Sequence, residues 1–290
     1  MNLLITGSSG FIGTNFKENS NDLSITEVDL LIQKVNEIDF YGIDSVLHLA
    51  ALVHQMKGAP ENQYFNINRD LAYEVALKAK SQGVKQFVFM STAKVFGEST
   101  TGKIAWDENS ECNPIDPYGK SKYEAEKLLL GLLDDNFKVA IVRSPLVYGV
   151  GVKANMYNLV KLVNRFPLLP LGGINNRRSM VYVGNLVALL KHVIYKSASG
   201  IFIAGDREPL STTKLTQLIA KASNRKVFLL KIPTFILRHS KKIKPSIVDR
   251  LFGSLELDNT NTNMRLNFVP PYSSEDGILE MVEWYKKSKK

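Results

Sequence analysis

The chain begins with an apolar run at 3–6 that passes straight into TGSSGFIG, placing Gly7, Gly10 and Gly13 in a G-x-x-G-x-x-G spacing. No other feature constrains the fold as much. Glycines let the backbone turn tightly between a strand and a helix. They also let a pyrophosphate approach the amide groups of the helix start, where the peptide dipoles leave partial positive charge. The apolar strand before the turn and the apolar helical segment after it separate this pattern from a merely tight turn. The expected ligand is a dinucleotide.

The rest of the first half follows the same rhythm. Strand-like runs stand at 3–6, 25–28, 45–49, 87–90 and 139–142, separated by helix-like segments such as NRDLAYEVALKAKSQG and SKYEAEKLLLGLL. Strand and helix in alternation predict an α/β fold, a Rossmann-type doubly wound parallel sheet that binds ligands at the carboxyl ends of its strands. After about residue 145 the sequence reads as loop-rich, with Pro, Gly and scattered cations. The expected division is a dinucleotide-binding domain over 1–145, to which 180–202 returns, and a smaller C-terminal substrate lobe from 146–179 and 203–290.

Asp29, at the end of the second predicted strand, is placed to accept hydrogen bonds from the adenosine ribose. No Arg or Lys follows it directly, so NAD(H) is preferred and NADP(H) is the alternative. The distance from Asp29 to VLHLAA is too short for two strand-helix units. The N-terminal half is therefore expected to be shortened by one unit, which leaves Asp29 open to an adenine-contacting role or to that of an ordinary turn aspartate.

Composition narrows the class further. At 290 residues and 44% hydrophobic content the chain can bury a full core, as one large domain or as a domain with a smaller lobe. Its single cysteine, Cys112, excludes an internal disulfide framework, and no metal site is expected. No apolar run reaches the roughly 18 residues of a membrane span, and no basic segment leads into an apolar one at the start. A cytoplasmic location is the expectation. The net charge of +9 is partly concentrated in RHSKKIK and the terminal KKSKK. Such runs are ordinarily solvated faces, so no nucleic-acid partner is expected. VFLLKIPTFILRHSKKIK is basic and amphipathic, which leaves weak association with a membrane surface open.

The chemistry centres on NPIDPYGKSKYEAEKLLL. Tyr118 and Lys122 are four residues apart and share one face of a helix. An ammonium beside the phenol, together with an oxidised nicotinamide, is expected to favour the phenolate; moving it from about 10 to about 7 requires roughly 4 kcal/mol. The result is an acid/base catalyst for neutral pH. A Tyr packed over a Lys stem gives the same spacing without chemistry. The hydroxyls of Ser91 and Thr92, which end the preceding strand at the ligand-binding edge, favour the catalytic alternative.

Taken together, TGSSGFIG, VLHLAA, FNINRD, FVFMSTAKVFGE, YGKSK, RSPLVYGVGVKAN and NNRRSMVYVGNL run in order over nearly the whole chain. They resemble the extended short-chain dehydrogenase/reductases of the NAD-dependent epimerase/dehydratase group, which act on nucleotide sugars. The resemblance implies that Thr92 orients the sugar oxygen, that Tyr118 transfers the proton, and that Lys122 tunes Tyr118 while holding the nicotinamide ribose. It implies a cofactor site formed by Phe11 and Ile12 beside the glycines, by Leu49, Ala50, Ala51 and Asn68, and by Pro145 near the nicotinamide ring. It further implies a UDP-sugar substrate whose diphosphate or neighbouring ribose meets Asn155 and Arg178, with Lys153 and Arg250 as further candidates. It also implies a homodimer.

One departure matters. The family's 4,6-dehydratases carry an acid and a base after the Thr, whereas this chain carries Ala93 and Lys94. Dehydration is therefore not expected. What remains is redox at C4 of a UDP-hexose or UDP-hexosamine, with 4-keto-sugar reduction preferred and 4-epimerisation close behind. The Lys after the Ala and the shortened adenosine half, which suits an exchanging cofactor, favour reduction. A non-catalytic nucleotide-binding scaffold is the alternative of another class.

Overall fold

The computed structural model describes residues 1–53, 59–231, 249 and 251–289. Six parallel strands form the central sheet: β1 (Asn2–Thr6), β2 (Ser24–Val28), β3 (Ser45–His48), β4 (Gln86–Thr92), β5 (Lys138–Ser144) and β9 (Gly200–Ile203), in the order β2-β1-β3-β4-β5-β9. The strands expected from the apolar runs are all present. β3, β4 and β5 are almost continuously buried, as a parallel sheet covered on both faces requires.

One face is packed by α1 (Phe11–Glu18) and α6 (Val183–Tyr195), whose Phe16, Leu186 and Leu190 meet Leu3, Ile5 and Val88. The other, after the short α2 (Glu61–Phe65), is packed by α3 (Leu71–Ser81) and α4 (Pro117–Leu130), whose Val75, Ala76 and Leu129 meet Val46, Phe87 and Ile141. Each such Leu or Val side chain removed from water contributes about 1.5–3 kcal/mol before ordering costs.

β1 lies between β2 and β3, where the strand order changes direction. From β2 the chain passes through a single 3-10 turn, Val35–Glu37, directly into β3. The strand-helix unit that would extend the sheet beyond β2 is missing, so β2 is an edge and three of its five residues are exposed. The shortened N-terminal half is thus a property of the sheet.

Beyond residue 145 the structure corrects the expectation of a loop-rich segment. β6 (Leu146–Tyr148), α5 (Ala154–Arg165), β7 (Leu168–Gly172), β8 (Met180–Tyr182), α7 (Thr212–Ala222), β10 (Phe228–Lys231), α8 (Thr260–Leu266) and α9 (Ser274–Lys287) are regular elements. Pro and Gly punctuate them closely, which obscures the period of each. α5 nevertheless buries Met156, Val160 and Val163 on one stripe. With Leu218 and Ile219 of α7 and Ile278, Met281 and Val282 of α9 they form a second apolar core. β7 and β10 form a two-stranded parallel sheet, as do β6 and β8. Among the described residues no helix is long and apolar enough to cross a membrane.

Candidate active site

The glycine turn is built against the end of β3. Gly7 has φ +72°, and a Cβ there would stand 2.6 Å from the backbone nitrogen of Ala50. One at Gly13 would stand 2.5 Å from the carbonyl of Gly7. Both contacts are closer than any side chain permits, so both positions require glycine. Gly10 is exposed and serves as the N-cap of α1, with no side-chain cap and no acidic residue in the first turn. The first amides of α1 are left to an external acceptor, and the helix dipole favours an anionic one. A dinucleotide pyrophosphate fits this cradle.

Phe11 packs toward the second core and Ile12 toward the sheet core. The loop after β6 leans on the same turn, since Asn15 Nδ2 donates to the Val150 carbonyl at 3.1 Å and Gly151 faces the Phe11 ring. Asp29 follows β2 immediately and is exposed; its Oδ1 accepts from the Leu31 amide at 2.9 Å. It stands at the carboxyl end of the strand beside β1, where a ribose-binding acid is expected, and its side-chain contact is that of a turn aspartate.

From β3 a continuous wall leads to α4. Leu49 donates its amide to the Thr6 carbonyl at 3.0 Å, and Ala50 lies against Gly7. Two residues on, Leu52 is held by Asn68 at both ends of its peptide unit: its amide donates to Oδ1 at 2.8 Å, and its carbonyl accepts from Nδ2 at 3.0 Å. Nδ2 also donates to Ser121 Oγ at 3.1 Å, and that hydroxyl donates to the Tyr118 carbonyl at 2.9 Å. Asn68 sits in a π-helical turn, Asn66–Asp70, and is fully buried. It ties the loop carrying Ala50 and Ala51 to α4, a link that sequence spacing alone does not show.

α4 starts at Asp116, whose carboxylate accepts from the Gly119 amide at 2.7 Å, with Pro117 in the first turn. The signal for this start, Asp-Pro before an apolar period, stands in the sequence. Lys94 is ion-paired to Asp116 and, at 2.9 Å, to Glu98. The residue at the dehydratase base position is therefore a cation already held by two carboxylates, and the acid position is Ala93.

Tyr118 is half-buried, and Thr92, the last residue of β4, brings its hydroxyl near enough to lower the Tyr118 phenol. Thr92 is the register partner of Ser144 at the end of β5, which places buried Pro145 directly beside the pair. Lys122 is buried, with its Nζ 3.9 Å from the centre of the Phe89 ring. Below it, His48 stacks on Phe87 and Phe89 and contacts Thr6 Oγ1 through Nδ1 at 3.0 Å. Glu126, one turn beyond Lys122, forms a buried ion pair with Arg143 at 2.7 Å and accepts from Ser91. Ser91 is thus spent on this internal network, and Thr92 alone of the two hydroxyls reaches Tyr118.

The electrostatics differ from those expected from spacing. Burial dominates, pushing the Tyr118 phenol up to about 12 against the lowering effect of the Thr92 hydroxyl. Burial likewise drives the Lys122 ammonium down to about 7, with Glu126 pulling the other way. The protein's own groups thus favour the neutral form of both residues, and a phenol lowered by its neighbouring cation is not what the fold alone produces. Buried His48 is also held neutral, its value lowered to about 3 by burial and by Lys122.

The substrate-side candidates are more dispersed. Lys153 is the N-cap of α5 and Asn155 lies in its first turn, both exposed, after the loop that contacts Phe11. Arg178 is half-buried and donates from Nη1 to the Gly253 carbonyl at 3.0 Å. Arg250 lies outside the described residues. No group of three or more His, Cys, Asp or Glu among the described residues could hold a metal.

A glycine-cradled helix start at the switch point of a parallel sheet, next to a Tyr with a Lys one turn on, is the arrangement expected of a dinucleotide-dependent oxidoreductase fold. Residues 3–205 match the model of the NAD dependent epimerase/dehydratase family, and the chain belongs to that family of enzymes. It is 33% identical over 97% of its length to a UDP-glucose 4-epimerase of Vibrio cholerae, covering 94% of that protein. It is 28% identical over 80% of its length to an N-acetyl-alpha-D-glucosaminyl-diphospho-ditrans,octacis-undecaprenol 4-epimerase of Escherichia coli O157:H7, covering 75% of it. In three dimensions it resembles a dTDP-4-dehydrorhamnose reductase from Clostridium acetobutylicum, with TM-score 0.79, 18% identity and coverage of 99% and 100% of the two chains.

Proposed function

We propose that this enzyme carries out redox at C4 of a UDP-hexose or UDP-hexosamine, in the direction of 4-keto-sugar reduction. The observation that carries the reading is the gathering at the carboxyl edge of the sheet of Thr92, Tyr118 within its influence, and Lys122 one turn on, buried over the Phe89 ring. A bound nicotinamide dinucleotide, NAD(H) in preference to NADP(H), supplies the hydride. Gly7, Gly10 and Gly13 and the uncapped start of α1 bind the pyrophosphate, with Phe11 and Ile12 flanking it. Asp29 accepts the adenosine ribose hydroxyls. Leu49, Ala50, Ala51 and Pro145 line the nicotinamide side, and Asn68 fixes that wall to α4.

Thr92 orients the sugar oxygen. Tyr118 donates its proton to the oxygen at C4 as that carbon is reduced, and the charged form of Lys122 stabilises the phenolate left behind. Residues 146–179 and 203–290 form the substrate lobe, where Asn155 and Arg178, with Lys153 and Arg250, take the diphosphate. A guanidinium and an ammonium suit its two negative charges. Two copies pair through α3 and α4, where Leu77 and Leu128 are exposed.

One feature favours reduction. The sheet ends at β2, so the adenosine side is less enclosed and suits a cofactor that exchanges each turnover. The second reading is 4-epimerisation, favoured by the activities of the Vibrio and Escherichia relatives. Dehydration is disfavoured, because Ala93 and the paired Lys94 replace the acid and base it needs.

The test is cofactor dependence of the purified enzyme. Oxidation of added NADH or NADPH only in the presence of a UDP-4-keto-6-deoxyhexosamine supports reduction. Interconversion of UDP-glucose or UDP-N-acetylglucosamine with their 4-epimers, with no cofactor added, replaces it with the second reading. Neither activity, with no binding of either dinucleotide, contradicts both.

A further inference from the structure

The β7–β10 sheet carries a surface that the catalytic site does not use. Phe228 and Leu168 are register partners and are 69% and 52% exposed. Leu230 continues this apolar strip, and Phe166 precedes it. An exposed apolar face on a small sheet, surrounded by charge, marks an interaction site rather than ordinary surface.

Its surroundings are cationic. Phe228 and Leu229 line a cavity of about 400 Å3 together with Lys221, Arg225 and Lys226 at the end of α7. Lys221 is paired with Glu275 at 3.0 Å, whereas among the described residues neither Arg225 nor Lys226 has an ion-pair partner. Just before the other strand, at the end of α5, the Arg165 guanidinium lies 5.3 Å from the centre of the Phe166 ring. The sequence extends the same character: residues 211–248 contain nine lysines and arginines and no acidic residue, and continue from β10 as IPTFILRHSKKIK.

We infer that this face docks the enzyme on an anionic lipid surface, with the Phe228/Leu230/Leu168 strip entering the headgroup boundary and Arg225 and Lys226 meeting lipid phosphates. An apolar strip beside a cation-lined hollow matches the two layers of such a surface, acyl chain and headgroup. A second copy of the chain fits less well, because it would set Arg225 and Lys226 against like charges. The inference is independent of the reaction catalysed at Tyr118.

The experiment is co-sedimentation of the full chain with vesicles of phosphatidylcholine alone and of phosphatidylcholine containing phosphatidylglycerol. Binding is expected only to the phosphatidylglycerol vesicles. The double variant Arg225→Gln/Lys226→Gln should weaken it by roughly 30-fold, at about 1 kcal/mol per cation. Phe228→Ser/Leu230→Ser should weaken it as well, while thermal melting shows both variants folded. Equal partition to both vesicle types, no partition to either, or unchanged binding by the double cation variant overturns the inference. So does a fall in oligomeric mass on Phe228→Ser/Leu230→Ser, which would assign the face to self-association.

Discussion

Tyr118 and Lys122 show how burial and spacing divide the work at the scale of single residues. Spacing puts the two side chains on one face of α4, while the packed interior decides which protons they hold. With the phenol near 12 and the ammonium near 7, both lean to neutrality. Lys122 has a folded value below its unfolded one, near 10.5. Its contribution to stability is therefore fully present above that unfolded value and is lost as pH falls through about 7, where the ammonium must be buried charged. Lys122→Met removes this burden, so the ligand-free variant should gain most over the parent at pH 6, and the gain should shrink by pH 9. Paired thermal melts across that range check it, and a gain that grows with pH would contradict the assignment. Tyr118→Phe should lower kcat by about 10²–10⁴-fold, the usual size of a general-acid contribution, with dinucleotide affinity unchanged. The i,i+4 pair was legible in the sequence. Its proton affinities were not, since burial is a property of the packed fold.

Elements place these residues, and their ends matter more than their middles. α4 starts where it does because Asp116 caps Gly119 and Lys94 anchors Asp116. Asp116→Ala removes both contacts two residues before Tyr118. It should cost about 1 kcal/mol of stability, typical of a lost N-cap, and lower kcat more than it changes KM. Urea titration and steady-state kinetics check this; an unaltered kcat would mean that the cap does not position the phenol. At the first turn, Gly7→Ala forces a left-handed φ and a clash with Ala50, so it should destabilise the fold by more than about 1 kcal/mol and abolish dinucleotide binding by calorimetry. Both devices were readable as motifs. The helices after residue 145 were not, because close Pro and Gly punctuation hides a stripe such as Met156, Val160 and Val163 until the second core is assembled around it. Asn68 was readable as part of a motif, whereas its grip on Leu52 and Ser121 depends on a π-helical turn that no spacing rule shows.

At the scale of the whole molecule, one sheet brings the glycine turn, the β3 wall and α4 to its carboxyl edge, and one missing unit leaves it ending at β2. The shortening was legible because the count from Asp29 to VLHLAA allows no second strand-helix unit. Its consequence is a prediction: dinucleotide should exchange within the time of turnover, and dialysis should leave the enzyme free of nucleotide, as absorbance of the denatured supernatant would report. Retention of a full complement would contradict the exchanging-cofactor account. The central claim is that the Thr92–Tyr118–Lys122 site delivers hydride to C4 of a nucleotide sugar and a proton to its oxygen. The most direct measurement uses NADH deuterated at the transferable position with a UDP-4-keto-6-deoxyhexosamine, reading the product by NMR. The account predicts deuterium at C4 of the reduced sugar, accumulating about 10²–10⁴-fold more slowly with Tyr118→Phe than with the parent enzyme. Product formed without deuterium at C4, or formed by the variant at the parent's rate, would contradict it.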